Sequence, residues 1–547
     1  MTVHLRHRLG GVIGVAVLLA LPPLIGSSPS AAEPAGHRAR ASLPLGPAGL
    51  PEARSQRTLQ RGVTLTTIVR GAVDAADYWT VELTIPAGST SPDPDAPPTS
   101  LADRTSAEAL AARVRDAGYS PRVEQVTTPA TADYAGGSLG WRVRVGSFPA
   151  QPAAAQLLTR LVTGGFTGAV RFTGWDGAAS DRGPWRLQVL TVDPRAFRGS
   201  LIASYGPDIE DRETTSALSR AVGATAAVNA GYFVLDPAAG APGDPAGIGV
   251  YRGKLLSETV SRRPALVLRD DARHTTVQRL QWRGTVQGRG ARLTLDGIDR
   301  VPGLIRNCGG TADDQPTAGP RHDFTCTDAD ELVAFTPQFG QNTPAGAGLE
   351  AVIDRQHRVV ALRSPRGGPL LAGYRSVQAT GSEVARLRAA AVVGRPLQIS
   401  ARLADQHGRI LGLHSSTSIV NGGPELVRGG QVHVTPRADG FVRPTDPSFY
   451  YGFSNNRNPR TFAGVDAAGR TLLVTADGRS TDSLGLSITE TAAVAKALGM
   501  RSALNLDGGG STTMVVGGQV INQPSDAAGE RPVGDSLLIL PRTGRLR

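Results

Sequence analysis

Leu504-Asn505-Leu506-Asp507-Gly508-Gly509-Gly510-Ser511-Thr512-Thr513-Met514-Val515-Val516 opens as a short apolar-alternating strand, reaches a carboxylate at its end, and turns through three glycines into a second apolar run. Consecutive glycines allow a close backbone approach to a bound group, with N–H groups turned inward. An aspartate at such a strand end places a fixed charge in a cleft. A Gly-rich hairpin whose turn amides are satisfied by Asp507 fits the same residues.

Further strand ends in the C-terminal two-thirds of the chain repeat the pattern. Ala226-Ala227-Val228-Asn229-Ala230-Gly231-Tyr232-Phe233 puts an amide and a phenol at a strand tip, and Ser418-Ile419-Val420-Asn421-Gly422-Gly423 breaks into a glycine turn. Leu472-Leu473-Val474-Thr475-Ala476-Asp477-Gly478-Arg479 ends in a carboxylate, and Arg460 and Glu490 lie nearby in sequence. Four polar strand ends (Asn229, Asn421, Asp477 and Asp507) predict one shared cleft. Its carboxylates suit acid/base work, and its arginines suit a phosphate through their planar fork. Paired carboxylates are also what glycosidic cleavage usually needs. Each residue has a plainer reading. Ser487-Ile488-Thr489-Glu490 fits a capping box, Asp477-Gly478 a hairpin turn, and Glu530-Arg531 a surface ion pair.

The composition sets outer limits. Arg6-His7-Arg8, an apolar run to about Ile25 and Ser30-Ala31-Ala32 predict a signal peptide over residues 1–32. No later run approaches the roughly 18 apolar residues of a membrane span, so the mature chain is expected without a transmembrane segment. Cys308 and Cys326 are the only cysteines; in an exported chain they predict one disulfide. His322 lies between them, and one histidine with two thiols does not make a metal site. The net charge of +11 suits an anionic partner, but no basic cluster interleaved with aromatics points to nucleic acid. Residues 33–74, rich in Ala, Pro, Ser and Arg, read as a flexible lead-in. Residues 262–413 read as strand-rich scaffold with few residues that suggest chemistry. Runs of strands with a minority of helices make the chain α+β.

Between residues 78 and 172 the patterns read strand, helix, strand, strand, helix, strand, the ferredoxin-like plan. Here Trp141-Arg142-Val143-Arg144-Val145-Gly146-Ser147-Phe148, the helix Ala153 to Leu161 and Gly164-Gly165-Phe166 resemble the SPOR domain over residues 75–176. That resemblance implies binding to peptidoglycan glycan strands and hence wall targeting; a packing or prodomain module is the alternative.

Asn229-Ala230-Gly231-Tyr232-Phe233, Arg457-Asn458-Pro459-Arg460-Thr461, Asp477-Gly478-Arg479, Thr489-Glu490, Asn505 to Met514, Asn522-Gln523-Pro524-Ser525 and Glu530-Arg531-Pro532-Val533 occur in one order. Together they resemble the phosphodiester glycosidase family over residues 183–542. That resemblance implies a secreted, wall-associated hydrolase of a sugar-1-phosphodiester, of the N-acetylglucosamine-1-phosphate type or a bacterial wall or capsule diester. It implies catalytic roles for Asp507, Glu490 and Asp477. Substrate contacts are expected from Asn229, Tyr232, Asn421, Arg460, Arg479, Ser511, Thr512, Glu530 and Arg531. Phe462 and Gly429-Gly430 depart from the family's usual residues and touch the pocket's shape rather than its chemistry. No cofactor is expected. One alternative is a phosphodiesterase cutting P–O with a divalent cation on Asp477, Asp507 and Glu490; another is a non-catalytic peptidoglycan-binding protein.

Overall fold

The computed structural model describes residues 42–85, 99–308, 313–315, 319–443 and 445–542. The expected signal peptide lies outside the described residues. No helix among them is long and apolar enough to cross a membrane.

An eight-stranded antiparallel sheet organises the chain. Its order is Glu52–Gln60, Val63–Arg70, Trp185–Val192, Thr471–Ala476, Arg460–Asp466, Met500–Asn505, Glu425–Arg428 and Gln431–Val432. The central strands are apolar on both faces because both are covered. In Thr471–Ala476, Leu472, Val474 and Ala476 point into a core shared with Ile488, Ala492 and Ala495 of helix Ile488–Ala497. Leu473 points the other way, into a core with Val228, Leu266, Met514 and Leu537. That second core joins a five-stranded sheet (Ala226–Asn229 and Ser536–Leu540 at its centre) and a larger sheet holding Thr417–Asn421 and Pro264–Arg269.

Residues 52–70 correct the expectation of a flexible lead-in. They form the two outer strands of the main sheet, with Val63 paired to Val192 and Arg70 to Trp185. Ile68 is buried in one core, and Val63 and Leu65 in the other. Their alternation lies between Ala- and Arg-rich flanks, so composition averaged over residues 33–74 hid a period of two.

In the N-terminal module, helix Arg104–Asp116 starts at Asp103, whose Oδ1 accepts from the Ser106 N–H at 2.9 Å. It buries Ala107, Leu110, Ala111 and Val114, the i, i+3, i+4, i+7 stripe. Helix Gln151–Thr163 buries Ala154, Leu157 and Leu161. Both pack on a four-stranded antiparallel sheet ordered Pro121–Thr128, Gly137–Phe148, Trp79–Leu83, Gly168–Phe172. Charged residues of this sheet meet residues 447–456 of the larger part. Arg144 donates to Glu82 at 2.8 Å and to Asp176 at 2.6 Å, and the Tyr451 hydroxyl donates to Glu82 at 3.0 Å. Burial opposes all three charges, but Arg144 and Arg142 hold the Glu82 and Asp176 carboxyls below their ordinary range. Gly452 and Phe453, the next residues, line the main cleft, so the module braces a wall of that cleft.

Candidate active site

The cleft lies where the main sheet, the Asp507 turn and the residue pairs 306–307 and 322–323 meet, and it encloses about 710 Å³ including its solvent-open mouth. Tyr232, Asn307, His322, Phe453, Asn458, Asp507, Gly508, Gly509 and Ser511 line it with Arg306, Arg460, Arg479, Arg531 and Asp323. Four arginines against two aspartates give the lining a positive excess, as an anionic ligand requires.

The glycines are explained one by one. A Cβ on Gly508 would sit 2.9 Å from the Pro459 carbonyl, Gly509 has φ +57°, and a Cβ on Gly510 would strike the Arg531–Asp526 pair. Four of the turn's amides are taken up within the protein instead of being left for a ligand. The Gly508 N–H donates to Asp507 Oδ1, Gly509 to the Pro459 carbonyl, Ser511 to that of Gly508, and Thr512 to that of Gly509. The turn is a rigid mount for Asp507 and Ser511 rather than a cradle.

Asp507 is fixed through its main chain. Its N–H donates to the Ala230 carbonyl at 2.9 Å, and its carbonyl accepts from Asn229 Nδ2 at 2.7 Å. Asn229 is fully buried, and its Oδ1 accepts from the Thr461 hydroxyl at 2.7 Å and the Thr513 N–H at 3.0 Å. With its side chain so used, Asn229 positions Asp507 instead of contacting substrate. Asn421 does the same for Tyr232, accepting from its N–H at 2.9 Å and donating to its carbonyl at 3.0 Å. The Tyr232 hydroxyl donates to the Gly423 carbonyl at 2.6 Å; burial pushes its pKa above the ordinary range, so the ring is a neutral wall.

Arg460 is a buried cation in the cleft lining. Its Nε donates to the Leu486 carbonyl at 2.9 Å, an Nη donates to the Phe453 carbonyl, and no carboxylate pairs with it among the described residues. Burial, with Arg479 nearby, pushes its pKa down to about 10, which still leaves it charged at neutral pH. Arg479, at φ +56°, donates to Asn458 Oδ1 at 3.2 Å. Arg531 pairs with Asp526 at 2.7 Å. Thr512 lies beneath the turn, only 1% exposed.

Three expected carboxylates stand elsewhere. Glu490 completes the capping box, accepting from the Ser487 N–H at 2.9 Å, and Arg457 grips it at 2.6 Å. Asp477 is buried under the Asn522-Gln523 turn, accepting from the Gln523 N–H at 3.1 Å, and burial raises its pKa. Glu530 accepts from the Ser216 N–H at 2.8 Å in the first turn of helix Thr215–Ala221. None of Glu490, Asp477 and Glu530 is among the residues that line the cleft, and each holds a hydrogen-bond position in the surrounding framework. The hydrogen-bond demands of a cap, a turn and a helix start absorb them.

Arg306, Asn307, His322 and Asp323 supply what the sequence reading passed over as scaffold. Arg306 pairs with Asp323, and the Asp323 N–H donates to Asn307 Oδ1 at 2.8 Å. Asn307 and Asp323 hold φ of +68° and +61°, strain of the kind that collects at functional sites. The Cys308–Cys326 disulfide forms as expected and closes the loop that carries His322 and Asp323. That closure was the available clue.

Residues 347–540 match the phosphodiester glycosidase family and residues 99–172 match the SPOR domain. Residues 347–540 are a phosphodiester glycosidase domain. The family match contains Asp507, Arg460 and Arg479, whereas Tyr232, Arg306 and His322 come from outside it. A solved structure, the "Putative exported protein" of Burkholderia pseudomallei K96243, is 35% identical, covers 91% of this chain and 98% of its own, and superposes with a TM-score of 0.82. The N-acetylglucosamine-1-phosphodiester alpha-N-acetylglucosaminidases of Mus musculus and Homo sapiens are 33% and 32% identical over 102 residues, 18% of this chain. The aligned stretch spans about a fifth of those relatives' length. The SPOR domain precedes the phosphodiester glycosidase domain in the chain.

Proposed function

We propose that the chain hydrolyses the C–O bond between a sugar's anomeric carbon and phosphate in a sugar-1-phosphodiester, of the N-acetylglucosamine-1-phosphate type or a related wall or capsule diester. The observation that carries this is Arg460, a buried guanidinium with no carboxylate partner among the described residues, in one cleft with Asp507. Arg460 and Arg479 hold the phosphate, whose departure as a stable anion needs little protonation. Asp507 activates water or supports the oxocarbenium, and Ser511 contacts sugar or phosphate oxygens. Asp323 is the other carboxylate in the cleft lining, and it takes the place expected of Glu490.

The relatives' printed activity supports this substrate type. The SPOR domain supports wall association, its element order supports the ferredoxin-like plan, and export follows from a signal peptide over residues 1–32. Much of the SPOR sheet meets residues 447–456, so glycan contact falls to its remaining surface. A divalent-cation phosphodiesterase is less favoured because Asp477, Glu490 and Asp507 are not gathered. The described acids close enough to share a cation are Asp313, Asp314 and Asp328, and none lines the cleft.

The test is hydrolysis of a synthetic N-acetylglucosamine-1-phosphodiester by the full chain. Asp507→Asn is expected to lower kcat on the order of 10³-fold or more, and Arg460→Met to lower kcat/KM by at least about 100-fold. Turnover by Asp507→Asn at the wild-type rate overturns the assignment.

A further inference from the structure

His322 is 5% exposed and lines the cleft within a cage of aromatic rings. Its ring centroid lies 4.2 Å from that of Tyr232, 4.3 Å from Phe441 and 4.9 Å from Phe453. Its main chain is pinned as well: the N–H donates to the Gly440 carbonyl at 2.9 Å, and the carbonyl accepts from Arg443.

The ring's protonation state follows from one neighbour. Arg263 Nη2 stands 3.1 Å from His322 Nδ1. A guanidinium has only donors and does not give up its proton in a protein. Nδ1 is therefore the acceptor and carries a lone pair, and the single ring proton of the neutral imidazole sits on Nε2. Arg263 is itself buried, sandwiched at 5.3 Å from the Tyr232 ring and 5.2 Å from the Phe441 ring. Among the described residues no carboxylate pairs with it, and its Nε and Nη1 have no hydrogen-bond partner. It has no competing anion to draw it away from Nδ1.

We infer that His322 presents a fixed Nε2–H to the cleft as an uncharged hydrogen-bond donor to the phosphate oxygens of the substrate, with Arg263 as the positioning residue that sets the tautomer. This rests on the reading of the cleft as a phosphodiester site. Nε2 makes no hydrogen bond among the described residues, and with Nδ1 turned to Arg263 it is the ring atom left for a ligand. The groups around the ring all oppose a second proton. Arg263 comes from the residue just before strand Pro264–Arg269, Arg306 from strand Leu304–Arg306, Arg443 from the segment behind, and Arg460 from the main sheet. Burial acts in the same direction and holds the imidazole well below its ordinary range. Asp323, the adjoining acid, is occupied by Arg306, and the neutral Tyr232 phenol contributes no charge.

The chemistry is limited by the same argument. Loss of the Nε2 proton would leave an imidazolate, so His322 does not act as a general acid. The C–O bond breaks with its electron pair on the phosphate oxygen, and the Nε2–H stabilises that charge without transferring its proton.

Two measurements on the full chain test this. With 15N-labelled histidine, the resonances lost in His322→Gln belong to His322. They are expected to show the Nε2-protonated neutral tautomer, unchanged from about pH 5 to 8. An Nδ1-protonated ring, or a midpoint near the ordinary value of about 6.5, overturns the inference whether or not the diester is a substrate. In turnover, His322→Phe keeps the aromatic packing and loses the donor; kcat is expected to fall about 100-fold with KM within roughly threefold. His322→Gln restores a donor and is expected to recover at least about tenfold of that loss. Wild-type kcat in His322→Phe also overturns it.

Discussion

The Asn229 amide donates to the Asp507 carbonyl at 2.7 Å while its own oxygen accepts from Thr461 and Thr513. One buried carboxamide thus ties three chain segments to the residue placed at the centre of the chemistry.

Asn229→Ala leaves the Asp507 carbonyl and the Thr513 N–H without partners in a dry site. The expected cost is about 2–4 kcal/mol in denaturant unfolding. Displacing Asp507 by about an ångström lowers kcat on the order of 100-fold. A variant that loses stability and keeps kcat removes Asn229 from the positioning role.

Glu490→Gln keeps a side chain able to complete the cap but breaks the buried pair with Arg457. Stability is expected to fall by roughly 3 kcal/mol, with kcat within a few-fold of wild type below the melting transition. A large loss of kcat at unchanged Tm returns Glu490 to the chemistry.

These two residues show how far the sequence was readable. Asn229 and Glu490 sit at strand and helix ends with strong motif identity, yet local pattern does not say whether such an end faces a ligand or completes a buried network. The β-α-β-β-α-β order, the disulfide pairing and the Asp507 turn were legible because each is written within a short window. Arg306, Asn307, His322 and Asp323 were not legible, because their part in the cleft depends on the Arg263–His322 and Arg306–Asp323 contacts, which periodicity does not encode. Strand 63–70 was missed because its partner Trp185–Val192 is more than a hundred residues away, and strand 52–60 pairs only with 63–70.

Replacing both Cys308 and Cys326 by Ser releases a loop of sequence separation 18. The chain-entropy estimate is a loss of about 3 kcal/mol. Because the loop carries His322 and Asp323, KM for the diester is expected to rise by roughly tenfold or more. An unchanged KM separates the loop from the binding wall.

Burial raises the carboxyl of Asp299 to about 8, those of Asp296 and Glu213 to about 7, and that of Asp535 to about 6. Between the unfolded value near 4 and these raised values, the folded chain holds protons that the unfolded chain has lost. These groups therefore make stability fall as pH rises from about 4 to 8. Tm is expected to be higher at about pH 5 than at about pH 8, and Asp299→Asn to flatten that slope. The opposite slope shows that other groups dominate.

The central claim is that the cleft breaks the sugar–oxygen bond. The direct measurement is hydrolysis of an N-acetylglucosamine-1-phosphodiester by the full chain in heavy-oxygen water, with Asp507→Asn alongside. The account predicts label on the sugar and no turnover in the variant. Label on the phosphate would contradict it.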